Sequence, residues 1–212
     1  MNKQIPMNER HNSAMSPIVG VVLMLFLTLL FAGITVSSVY GEDIAASLTK
    51  TPMAMIGVEF VEGGVPNAVR YNENFLYLAH MGGDPLMTGD TKILISGQGS
   101  AYEGTVPHGR RHYGEVIISY DNLLYEGKRP EYASGNGDIS DGVWSSGEKL
   151  VLNGYDSING TVFSSVSVSI NGIKDTSNNY GLKAGNIISI KVIDKNTDRI
   201  ISECEHMVVP AK

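Results

Sequence analysis

The chain has 212 residues, 42% of them apolar and 18% charged, with a net charge of −6. That length carries one ordinary domain with an appendage, and that balance belongs to a folded protein rather than a disordered one. Its few Lys and Arg form no basic stripe, which excludes a nucleic-acid surface, and a single cysteine, Cys204, excludes any intramolecular disulfide.

The first element lies near the N-terminus. No Asp, Glu, Lys or Arg stands between Arg10 and Glu42, and residues 18–34 are apolar apart from Thr28 and two glycines. About 20 such residues in a helix, at about 1.5 Å each, match the roughly 30 Å hydrocarbon core of a bilayer. Ser16 suits an N-cap and Pro17 the first helical turn, where its missing N–H has no partner to lose. Lys3 and Arg10 before the run and Glu42 and Asp43 after it put the N-terminus in the cytoplasm and the bulk of the chain outside. The run is longer than the apolar region of a secretory signal, about 7–15 residues, and ends in SSVYGED, a poor small-x-small site. The small pair Ser13-Ala14 lies before the run, so a cut there removes a polar leader and keeps the whole helix. A permanent type II anchor is the competing reading.

The stretch MSPIVGVVLMLFLTLLFAGI closely resembles the N-terminal segment of archaeal type IV pilins, through Ser16, Pro17, Ile18, Val19, Gly20, Val21, Val22, Leu23 and Met24. Val19 stands at the fifth position of the expected mature chain, where bacterial type IV pilins carry glutamate. The resemblance implies a class III signal peptide cut by a prepilin peptidase between Ala14 and Met15. It implies a retained helix, 15–48, that anchors the subunit in the membrane and then packs into the core of a helical homopolymer, with an outer domain over 49–212. The residues expected in that core are Pro17, Ile18, Val19, Gly20, Leu23, Met24, Leu25, Phe26, Leu27, Leu30, Phe31 and Gly33. The implied partners are other copies of the chain, the peptidase, the pilus assembly machinery and, before assembly, the membrane. The implied location is the cell membrane and then an extracellular filament serving adhesion.

Past Gly41 the period changes. Residues 53–61, 74–80, 91–96, 115–120, 149–153, 161–170, 186–194 and 199–209 are short, rich in Val, Ile and Tyr, and partly alternating, which predicts strands. Clusters of Gly, Asn and Asp (GGDP, GQGS, SGNGDISDG, NGYDSING, DTSNNYG) predict the turns between them. Eight or so strands with no second helical period of useful length predict an antiparallel β-sandwich or a barrel-like relative. The fold expected is α+β: a long N-terminal apolar helix, then an all-β domain. GDTKILISG, GEKLVLNG and, loosely, AGNIISIKV repeat one turn-then-strand form. HMGGDPLMTGDTKILISG and WSSGEKLVL also resemble segments of the outer domain of archaeal pilins.

Chemistry-bearing residues are sparse. His108 and His112 flank two arginines in PHGRRHYG, where the glycines predict a loop. Residues 136–148, NGDISDGVWSSGE, alternate oxygen side chains in the manner of a calcium loop, with Asp138 and Asp141 the candidate ligands, but depart from EF-hand spacing. Cys204 reads as a thiol on a strand. Asn159 heads the sequon Asn159-Gly160-Thr161 and is the candidate N-glycosylation acceptor. No Gly-x-Ser-x-Gly, Walker or His-Glu-x-x-His sequence occurs, so neither a catalytic group nor a cofactor is assigned. The expectation is therefore a structural subunit. The alternatives are a membrane-anchored surface module that binds carbohydrate or calcium, and a secreted enzyme with a long signal peptide.

Overall fold

A computed structural model describes residues 16–48, 50–64, 70–104, 108–158 and 163–211. Two compact units divide the chain, one ending at Thr49 and the other spanning Lys50–Lys212. In the first, α1 runs over Ser16–Leu48. Its 33 residues make a rod about 50 Å long.

The second unit is a β-sandwich. One sheet has the order β12-β1-β2-β7, formed by Val209–Pro210, Ala54–Gly63, Phe75–Gly83 and Lys149–Asn153. The other has the order β11-β10-β4-β5-β8, formed by Arg199–Met207, Ile187–Asp194, Thr91–Glu103, Arg110–Tyr120 and Val166–Ile170. A short ribbon pairs β3, Leu86–Met87, with β6, Val143–Trp144. All neighbours are antiparallel except β1 and β12.

Alternation explains the core. Leu76, Leu78, Leu150 and Leu152 point inward from one sheet, and Ile93, Ile95, Val116, Ile118, Val168, Ile188, Ile190 and Val192 from the other. A bulge at Val58/Phe60 keeps both Val58 and Val61 on the core side and turns Phe60 outward beside Tyr77. The 13-residue β4 organises the larger sheet. It pairs β5 along most of its length, while its other edge takes β10 over Thr91–Ser96 and β9, Thr176–Leu182, over Gly99–Glu103. Gly99 sits where β9 comes closest, and a Cβ there would lie 2.1 Å from the Gly181 carbonyl oxygen.

Four expectations need correction. The run 175–181, read as a turn, is largely strand β9, built from buried polar residues. Thr176 donates to the Val168 carbonyl (2.7 Å), and Ser157 donates to Asn179 Oδ1 (2.9 Å), so hydrogen bonds stand in for apolar burial. GQGS, 97–100, also read as a turn, lies inside β4. Residues 110–114, read as loop, are the first half of β5, held by pairing with the extended β4 rather than by their own polar sequence. Residues 161–170 were expected as one strand, but β8 begins at Val166.

Polar locks close the edges. Asn74 Oδ1 accepts from Gly64 N (3.1 Å) and Leu182 N (2.8 Å), joining the start of β2 to the end of β9. The edge strand β7 is capped by one side chain. Asn136, following the short helix α2 (Pro130–Gly135), donates to the Val151 carbonyl (2.8 Å) and accepts from Val151 N (2.7 Å), mimicking a neighbouring strand. It also donates to the Tyr132 carbonyl (2.9 Å). Asn136→Ala strands these buried groups and is expected to cost about 2–3 kcal/mol. The exposed Ser134→Ala should stay within about 0.5 kcal/mol of wild type. Denaturant midpoints followed through the single, fully buried Trp144 check both.

Candidate functional site

The candidate site begins with α1. Ile18–Val36 forms a stretch of 19 residues long and apolar enough to cross a membrane, with none of its residues buried within the protein. It spans about 28 Å. Its apolar side chains are exposed all round, Ile18, Leu23, Met24, Leu25, Phe26, Leu30 and Phe31 among them, and Leu27 is the best covered at 44%. No polar stripe is present, so this is not the one-sided surface of a helix lying against a soluble core. The two threonines do not break that uniformity. Thr28 donates its hydroxyl to the Leu25 carbonyl (2.9 Å), and Thr35 to the Phe31 carbonyl (2.9 Å), so each is satisfied within the helix.

Gly20 and Gly33 leave gaps in the apolar surface. A Cβ at either would meet nothing within 4 Å. Thirteen residues apart, they face directions about 140° apart around the axis. They therefore offer close approach to two different neighbours rather than one. Pro17 and Val19 lie in the same helix. The expected cleavage pair Ala14 and Met15, and the sequon residue Asn159, lie outside the described residues.

The structure separates the other candidates. His108 lies in the turn before β5, whereas His112 lies within β5 and places Nε2 2.8 Å from Glu103 Oε2 across the ladder. Asp138 sits in a single 3-10 turn, Gly137–Ile139, and Asp141 Oδ1 accepts from Val143 N (2.9 Å), capping its own turn. Among the described residues, no three His, Cys, Asp or Glu side chains group as metal ligands. Cys204 is half-buried on β11, and burial followed by the charge of Glu203 raises its thiol pKa, which makes it less reactive.

A buried cluster escaped the sequence reading. Tyr120, on β5, donates to Asp156 Oδ2 (2.8 Å), and its hydroxyl lies 2.8 Å from that of Tyr180 on β9. Asp156 Oδ2 also accepts from Asn153 N (2.7 Å). Burial pushes the Asp156 carboxyl up to about 6, against the Asn153 N–H, the Tyr120 hydroxyl and Lys128. Burial lowers Lys128 to about 8, against Asp156 and Asp121. Burial first, and the Asp156 charge next, raise both tyrosines. The lysine Nζ is held by the Leu124 carbonyl (2.6 Å), Ser165 Oγ (2.9 Å) and Asn122 Oδ1 (3.2 Å). These residues meet only through tertiary packing. Asp156 stands in NGYDSING, which by composition is just a turn. Asp156 also lines a pocket of about 350 Å³ at the β7 edge, with Phe75, Arg129, Val151 and Tyr155.

No family model matches the chain. An uncharacterized protein of Archaeoglobus fulgidus is 32% identical to it over 83 residues, 39% of this chain and 52% of that protein. The chain thus spans about half the length of this relative.

The raised Asp156 pKa sets a pH dependence. Between about pH 4 and pH 6 the native carboxyl holds a proton that the unfolded one has lost, so stability falls as pH rises through that window and then levels. A shift of about two units corresponds to about 3 kcal/mol. Between about pH 8 and pH 10.5 the depressed Lys128 acts in the opposite sense, and stability rises with pH. Asp156→Asn keeps an oxygen for Tyr120 and Asn153 but removes the acid limb. Unfolding curves of wild type and variant should converge near pH 4 and separate by pH 6.5; parallel curves contradict the assignment.

Proposed function

We propose that the chain is a structural subunit, a pilin, of an archaeal type IV pilus. One observation carries the reading. The helix presents 19 residues of uncharged, exposed apolar surface with no polar face, and the polar leader and Ser-Pro start before it resemble those of archaeal pilins. Such a surface needs lipid or other apolar helices around it. At about 25 cal/mol per Å² of buried apolar area, packing many copies holds a filament without covalent links. A head-to-tail contact that does not close gives an open helical polymer.

Two further features support this reading over a plain anchor. The helix continues through Leu48, about 18 Å past Val36, and so outlasts the length a bilayer requires. The two open glycines face different directions, as a rod with several neighbours needs. On this reading a prepilin peptidase cuts between Ala14 and Met15, the helix waits in the membrane with the β domain outside, and assembly moves it from lipid into the filament core. The β domain forms the outer surface and serves adhesion.

A charge at Leu25 or Leu27 cannot be buried among apolar helices without a partner. Leu27→Glu should leave the β domain folded but reduce filaments in the sheared fraction to background, as counted by electron microscopy. Wild-type filament numbers from this variant would contradict packing through the helix.

A further inference from the structure

The outer face of the four-stranded sheet has no counterpart in that reading. Phe60 stacks on Tyr77, with ring centroids 4.0 Å apart and planes at 24°, and Phe75 follows at 6.1 Å. All three are half-buried on the side turned away from the core. The row ends at the pocket beside β7, where Phe75 forms part of the wall. Tyr155 forms another part. It is 39% exposed and carries the Arg129 guanidinium at 3.5 Å from its ring centre. Asn72, Glu131, Asn153 and Asp156 bring amide and carboxylate groups to the same wall.

This arrangement restricts what can bind. An extended peptide adding to the β7 edge needs free backbone groups there. Asn136 already occupies both groups of Val151, and Asp156 takes Asn153 N. Recognition must therefore run through side chains. The side chains offer half-exposed aromatic rings beside donors and acceptors of both charge signs. A sugar ring has the matching form, with one apolar C–H face and an edge of hydroxyls that both donate and accept. At about 350 Å³ the pocket lies at the small end of ligand sites, the size of a sugar unit or two rather than a large cofactor.

We propose that this face is a carbohydrate-binding site: the pocket between Phe75 and Tyr155 takes the end of a neutral glycan, and the Tyr77–Phe60 row supports the units behind it. Arg129 and Glu131 read the hydroxyls, and the rings carry the stacking. The site stands whether or not the chain polymerises, since all its residues belong to the β unit.

The test uses the full-length chain in a detergent without a sugar headgroup, titrated calorimetrically with maltotriose, cellotriose, chitotriose and mannotriose. Saturable binding of at least one is expected. Tyr155→Ala, and Phe75→Leu, which keeps apolar bulk but removes the ring, should each weaken it by about tenfold or more, about 1.4 kcal/mol. Ile117→Ala, on the outer face of the other sheet, should leave it unchanged. Circular dichroism establishes that each variant folds. Three outcomes would overturn the proposal: no saturable binding of any of the four sugars, wild-type affinity in both ring variants, or displacement of the sugar by a proline-rich peptide that binds the same face more tightly.

Discussion

A helix without a polar face cannot be left in water, and everything else about this protein follows from how that constraint is met. Ile18–Val36 carries no charge, satisfies its own hydroxyls and has no buried residue. The β unit has an apolar core of its own. Lipid would cover such a helix in a single copy, and on the proposed reading other copies cover it in a filament; one surface would serve both because each contact is non-directional burial.

The β unit meets the opposite demand. Its two sheets share one apolar core, and hydrogen bonds tie several of the polar groups that enter it. Asn74 joins β2 to β9, Asn136 seals β7, and the Tyr120–Asp156–Tyr180 cluster links β5 and β9 to the chain after β7. Sealing β7 has a second effect. It protects an edge that would otherwise recruit strands from other chains, and it leaves the neighbouring pocket to side-chain chemistry alone.

Legibility in the sequence followed the physics of burial. The helix was readable because nothing charged interrupts the apolar run of residues 18–34. Strand β7 was readable at both ends, and β1, β2 and β10 nearly so, because Ile, Leu and Val alternate where one face meets the core. Strand β9 was hidden. Its Thr176, Ser177 and Asn179 look like turn residues, and only partners far away in sequence make them strand. The first half of β5 was hidden for the same reason, since the extension of β4 holds it in place. The Asp156 cluster and the aromatic face left no local trace, being assembled from β1, β2, β5, β9 and the segments around β7. The absence of a metal-ligand grouping around Asp138 and Asp141 also needed coordinates, which show Asp141 spent on its own turn.

The account rests on the helix being retained after the leader is lost, so the N-terminal residue of the mature chain in material sheared from cells tests it most directly. A chain that begins at Met15 is the result the account predicts. A chain that begins at Met1, left as a plain anchor, or beyond Gly41, with the helix discarded, would contradict it.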